Sequence, residues 1–269
     1  KDLPPSQIVP ALADKGEYIA SESSFYRIMH EDKQQHHRGR SKAPENRPIS
    51  THEATAANQL WCWDITWLPG PVRGVYYYLY LILDIYSRKV VGWEVHEKES
   101  SDNASRLVSR AHLREGVGDS PLVLHSDNGS PMKGASLLTT LYKLNVASSY
   151  SRPRVSNDNA YAESIFRTCK YRPDYPYKGF AGINEARQWV LQFVHWYNHT
   201  HKHSGIKFMS PAQRHAGMSD EIMRQREAVY AAAKAKHPER WSGDARSWEL
   251  PSTVYLNPEK EQTELTETG

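Results

Sequence analysis

A chain of 269 residues, 39% hydrophobic and 24% charged, has room for one packed domain of ordinary size with smaller appendages. Its longest apolar stretch, 75–85, is interrupted by tyrosines and followed by Arg88, and no charged-then-apolar leader precedes it. A membrane span and a secretory signal are therefore excluded, and a soluble, cytoplasmic protein is expected. The chain opens on Lys1 rather than Met, so an upstream piece is expected.

Residues 1–32 predict short helices: 7–13 has apolar residues at helical spacing, Lys15-Gly16 breaks it, and 24–30 follows behind Ser21. Helix, glycine-containing turn and serine-capped helix is the outline of a helix-turn-helix. Residues 33–55 are polar, Pro-containing and basic, with His36, His37, Arg38, Arg40 and Lys42 in one run; they read as a linker with a candidate phosphate contact. Three β-rich runs come next, 59–67, 75–86 and 89–96, joined by short turns as an antiparallel meander. A helix from 101 to about 111, a buried strand over 121–125, a helix over 135–144 and a strand over 146–150 continue the pattern. Helices over 157–171 and 184–198 complete it. The order βββαβαβα is an α/β arrangement of five strands, and strand ends in such mixed sheets are where ligand groups gather.

Three carboxylates stand in contexts that call for explanation. Asp64 interrupts the aromatic-rich strand Leu60-Trp61-Cys62-Trp63-Asp64-Ile65-Thr66-Trp67, where it is either a residue of a solvated face or a cation ligand. Asp127 ends a short strand at Asp127-Asn128-Gly129, which also reads as an ordinary turn. Glu163 is on a helix with Arg167 and Lys170 one and two turns further on the same face, an arrangement that also suits a surface salt-bridge ladder. Hard Mg²⁺ takes oxygen ligands, and a pair of such ions serves phosphoryl transfer without a side-chain nucleophile.

The segments Trp63-Asp64-Ile65-Thr66 and Leu83-Asp84-Ile85-Tyr86-Ser87-Arg88-Lys89-Val90-Val91-Gly92-Trp93 resemble the catalytic core of bacterial transposases of the insertion-sequence-three family, within the DDE superfamily that includes retroviral integrases. His125-Ser126-Asp127-Asn128-Gly129-Ser130 is similar to that family's second-aspartate motif, and Asp158-Asn159-Ala160-Tyr161-Ala162-Glu163-Ser164 to its glutamate motif. Thirty-five residues separate Asp127 from Glu163, as in the D-D-35-E signature. Trp196-Tyr197-Asn198, His203-Ser204-Gly205 and Ser210-Pro211-Ala212 match its closing segment, and Ile19 through Arg27 is similar to its second DNA-binding region.

The resemblance implies an RNase H-like mixed five-stranded sheet flanked by helices, with a small helical N-terminal region and a C-terminal extension. It divides the chain into a DNA-binding region and basic linker (1–45), a catalytic core (46–217), and a C-terminal helix and extension (218–269) that contacts DNA or oligomerises. It implies a transposase that cuts transposon ends and joins the 3′ hydroxyl to target DNA. Asp64, Asp127 and Glu163 would hold two Mg²⁺ ions, with Mn²⁺ as a substitute. Lys170, Arg167, Asn159, Arg152, Arg154, Arg38 and Arg40 are the candidate DNA contacts. The implied partners are double-stranded DNA, as terminal repeats and target, and further copies of the chain, at least a dimer on paired ends. No membrane partner is implied, and the expected place is the bacterial cytoplasm, associated with the nucleoid.

Other features have plainer readings. Asp84, close to Ser87-Arg88 at a turn, is expected to make a structural bond rather than to be a fourth ligand. The tract holding His195, His199, His201 and His203 lacks a thiolate or spaced His pair to complete a zinc site. Cys62 and Cys169 read as reduced thiols without chemistry, too few for a disulfide framework. A helix over 220–236 reads as packed or oligomerising, and 241–256 as a small β element near DNA. Rival functions are a catalytically silent DNA-binding regulator and an RNase H-type nuclease, separable by metal-dependent cleavage and hybrid-digestion assays.

Overall fold

The computed structural model describes residues 3–32, 49–153 and 156–258, in two compact units, 1–47 and 48–269. In the first unit, α1 (Pro5–Ala13) begins with Pro at its first turn, where the missing N–H costs nothing, and ends before Gly16 at φ 80°. α2 (Glu22–Glu31) is capped by Ser21, whose hydroxyl accepts from Ser24 N–H at 3.3 Å. The basic run from His36 to Lys42 falls outside the described residues.

The second unit is built on a five-stranded sheet. Its elements in chain order are β1 (His52–Ala54), β2 (Leu60–Pro69), β3 (Tyr76–Asp84), β4 (Val90–His96), α3 (Ser101–Arg114), β5 (Leu122–Ser126), α4 (Ala135–Lys143), β6 (Val146–Tyr150), α5 (Ala160–Lys170), α6 (Ile183–His199), α7 (Pro211–His215), α8 (Ser219–Lys236) and β7 (Val254–Leu256). The sheet order is β4-β3-β2-β5-β6; β2, β3 and β4 form the antiparallel meander, and β5 and β6 join it in parallel. This is an RNase H-like fold: a mixed five-stranded sheet with helices on both faces.

Two-residue alternation divides the core. Leu60, Cys62, Leu79, Leu81 and Leu83 face α5 and α6, where they meet Ile165, Phe166, Val190 and Phe193. Trp61, Trp63, Tyr80 and Ile82 face α3 and α4, against Leu107, Val108, Leu137 and Leu141. Both faces of β3 are covered, which is why 79–83 is apolar at every position rather than at every second one. At the β3–β4 irregularity, Asn198 of α6 restores the interrupted ladder. Its Oδ1 accepts from Val90 N–H at 2.8 Å and its Nδ2 donates to Val90 O at 3.0 Å.

Asp84 is fully buried and accepts from Asn58 N–H (2.8 Å), Ser87 N–H (2.7 Å) and the Ser87 hydroxyl (2.5 Å), so it organises the turn into β4. Ser87 Oγ is 2.9 Å from His215 Nδ1, and His215 Nε2 is 3.0 Å from Glu115, which ties α7 to this turn and to the end of α3.

Residues 52–54, within the segment expected to be linker, form β1 and pair with β7, Glu53 opposite Tyr255. A three-residue strand carries no readable periodicity, and its partner is about two hundred residues away. The helix expected over 157–171 is a 3₁₀ turn (Ser156–Asn159) followed by α5. Residues 218–258 belong to the same compact unit as the sheet: Met223 of α8 and Trp248 are buried with Ile206 and Met209, and Leu256 enters the main core. No helix among the described residues is long and apolar enough to cross a membrane.

Candidate active site

β2 and β5 are neighbouring parallel strands, with Leu60 opposite Val123, Trp61 opposite Leu124 and Cys62 opposite His125. Carried two residues further, that register sets Asp64 beside Asp127, just beyond the end of β5. Asp64 shares the parity of Leu60 and Cys62 and so belongs to the sheet face on which α5 packs. α5 buries Ala162, Ile165, Phe166 and Cys169 and leaves Glu163 exposed.

The electrostatics of Asp64 reflect this convergence. Burial, then the Asp127 charge, and with less weight those of Glu163 and Glu99, push its carboxyl up to about 7, against one opposing bond from Ile65 N–H to Oδ1 at 2.7 Å. Among the described residues no cation is ion-paired to it. Asp127 Oδ1 accepts from Gly129 N–H at 3.1 Å. Among the described residues nothing is hydrogen-bonded or ion-paired to Glu163, so its side chain is free to reorient.

The donor set therefore suits a hard divalent cation: three carboxylates, one of them half-buried, none ion-paired to a cation among the described residues. Among the described residues no three His, Cys, Asp or Glu side chains are already gathered for an ion. The fit thus lies in donor chemistry and in carboxylates without an ion-pair partner among the described residues.

The surrounding contacts are specific. His125 is buried and neutral; burial outweighs the bond to Asp158 and holds it down at about 4. Its Nε2 donates to Asp158 O at 3.1 Å, since a carbonyl only accepts, and Nδ1 then accepts from Ser149 Oγ at 2.9 Å. Burial also pushes both thiols up, Cys169 to about 12, so neither is a ready nucleophile.

Among the candidate DNA contacts, Arg167 is exposed and Lys170 half-buried, and neither has an ion-pair partner among the described residues. Two others are placed differently from expectation. Asn159 is 3% exposed and donates to Trp63 O at 3.2 Å, so its amide serves β2 instead of a base or sugar. Arg152 spends its guanidinium on both oxygens of Asp158, at 3.0 Å each, which leaves it committed within the protein. Arg38, Arg40 and Arg154 lie outside the described residues. The sequence reading missed Asp158, His125 and Asn257 as ties around the site; the run Asp158-Asn159 inside the glutamate motif was the only local hint.

Profiles described as Integrase core domain match residues 54–156 and 144–211. The transposase for insertion sequence element IS904 from Lactococcus lactis subsp. lactis (strain IL1403) is 31% identical over 197 residues, covering 72% of this chain and 74% of that protein. Transposase InsF for insertion sequence IS3A from Escherichia coli (strain K12) is 27% identical over 161 residues, 60% of this chain and 54% of that one. A chain in the cryo-EM structure of the simian T-cell lymphotropic virus intasome in complex with PP2A regulatory subunit B56 gamma shares the fold. Its TM-score is 0.50 at 18% identity, over 77% of this chain and 70% of that chain. With an integrase core spread over its central sheet and that extent of identity to a curated relative, this chain belongs to the insertion-sequence transposases, DDE-type polynucleotidyl transferases of the integrase-core superfamily.

Proposed function

We propose that this transposase cuts the ends of its element and joins the freed 3′ hydroxyl to target DNA, with Asp64, Asp127 and Glu163 as ligands of two Mg²⁺ ions. One observation carries the assignment: a half-buried Asp64 whose carboxyl is pushed up by burial and by the charges of Asp127 and Glu163, with no ion-paired cation among the described residues. When bound, such ions supply Lewis-acid stabilisation of the oxygens that enter and leave phosphorus. Ile65 N–H fixes one oxygen of Asp64 and Gly129 N–H one oxygen of Asp127, so the two aspartates are oriented before substrate arrives. Arg167 and Lys170 share the face of Glu163 and are available for the phosphate backbone.

The same reading takes residues 1–45, with Arg38 and Arg40, as the region that binds terminal repeats, and Arg154 as a further contact. It takes the active form as at least a dimer on paired ends, with Mn²⁺ able to replace Mg²⁺. Glu163→Gln removes one ligand and little volume. Strand transfer in Mg²⁺ should fall by at least about 100-fold, the scale of losing one preorganised electrostatic group, while binding to the element's ends is kept. Strand transfer at the wild-type rate in this variant would refute the assignment.

A further inference from the structure

α5 begins without a side-chain cap: Asn159 occupies the N-cap position but makes no capping hydrogen bond. A missing cap costs a helix end about 1 kcal/mol, so the start of this helix depends on ties from outside it. Those ties come from three remote segments. Asn159 Nδ2 reaches Trp63 O, beside Asp64, and His125 Nε2 reaches Asp158 O, two residues before Asp127. The third set comes from the C-terminal segment. Asn257 Nδ2 donates to the same Asp158 carbonyl at 2.8 Å, and Tyr161 Oη donates to Tyr255 O at 2.8 Å. The Arg88 guanidinium lies 3.9 Å from the Tyr161 ring centroid and donates from Nη2 to the Tyr161 hydroxyl at 3.3 Å.

The C-terminal segment is itself anchored. β7 pairs with β1, Leu256 is fully buried in the core that contains Ile165 and Phe166, and Thr51 Oγ1 donates to Asn257 O at 2.9 Å. Asn257 adopts φ 51°, a left-handed conformation that Asn tolerates better than most residues. A buried strand end and two hydrogen bonds therefore meet the chain at Asp158 and Tyr161, just ahead of and inside the first turn of α5.

We infer that the segment Val254–Asn257 is a positioning element for Glu163, setting where the glutamate helix starts and hence where its carboxylate meets Asp64 and Asp127. The inference rests on the reading of Glu163 as a metal ligand. It gives the C-terminal extension a role inside the catalytic unit, acting through α5 and touching neither metal nor substrate. Asn257 and Tyr161 are its positioning residues.

The test uses the full chain with Asn257→Gly and Tyr161→Phe. Glycine keeps the left-handed backbone and removes the Nδ2 donor to Asp158 O and Ser50 O; phenylalanine keeps the ring on Arg88 and removes the hydroxyl, with its bond to Tyr255 O and the one it accepts from Arg88. In the metal-free, DNA-free protein, amide exchange over 160–166 should accelerate. In strand transfer, the Mg²⁺ concentration for half-maximal rate should rise by roughly three- to tenfold, the yield of one net hydrogen bond, with the KM for DNA ends unchanged. Unchanged exchange and an unchanged Mg²⁺ requirement in both variants, with only a lower Tm, would overturn the positioning role. Glu163→Gln in parallel separates the two failures. Strand transfer surviving in it overturns the ligand reading, whereas its loss alongside unmoved exchange in the other variants overturns this inference alone.

Discussion

Replacing Asp64 with Asn should stabilise the metal-free protein, and should do so only above acidic pH. An aspartate in an unfolded chain releases its proton near 3.8, whereas folded Asp64 holds it until about 7, because of burial and the neighbouring charge of Asp127. Between those values the folded state binds more protons than the unfolded one, so stability falls as pH rises from about 4 to 7 and levels off beyond. At 1.36 kcal/mol per tenfold the gap is worth at most roughly 4 kcal/mol, and partial solvation of the carboxylate brings the expectation to about 2–4 kcal/mol. Asn does not titrate, yet its Oδ1 keeps the bond from Ile65 N–H. Thermal unfolding of both proteins without divalent metal should give coincident Tm values near pH 4 and a variant higher by roughly 5–10 °C at pH 8. Millimolar Mg²⁺ should then raise the wild type toward the variant, by supplying a counter-charge to the carboxylates. A variant no more stable than wild type at pH 8, or one whose advantage is the same at every pH, would refute the argument from burial and carboxylate repulsion.

Arg167→Gln with Lys170→Gln should weaken binding to all DNA sequences alike and lower the salt slope of log K by about two, one per lost phosphate contact; an unchanged slope would remove both from the DNA surface. His215 supplies a second pH test, in which the substitution destabilises rather than stabilises. Burial alone would lower its pKa, but its bonds toward Asp84 and Glu115 outweigh this and raise it. Its contribution is fully present below the ordinary value of 6.5 and is lost as pH rises through the raised folded value. His215→Gln should therefore lower Tm more at pH 6 than at pH 9, as read by calorimetry at both pH values; an equal loss at both would show that His215 acts by packing alone.

Much of this architecture is legible from local pattern. The β-favouring, aromatic-rich run of 59–67, the long apolar run of 75–86 and the serine-capped helix from 101 to about 111 each predict their element, because burial of one face or of both leaves a recognisable pattern on the side chains. Asp64 is conspicuous for the same reason, as an acid where that period demands otherwise. Asp84 is an acid in the same kind of setting, and its reading as a structural residue holds because two donors of Ser87 in its own turn and the Asn58 N–H ahead of β2 consume its oxygens.

What tertiary structure alone decides is the choice of hydrogen-bond partner. Asn159 and Arg152 carry groups suited to DNA, and nothing local distinguishes that use from the ones they have, on Trp63 O and on the Asp158 carboxylate. The β1–β7 pair and the bond from Asn257 to Asp158 join residues about a hundred to two hundred positions apart. Periodicity encodes which face of an element is buried, whereas the partner of a polar group depends on which distant segments the packed core brings within 3 Å. By itself the sequence marked the five strands of the sheet, the helices around it and three conspicuous carboxylates. Only the folded chain decided that the first turn of the glutamate helix is held by its C-terminal strand.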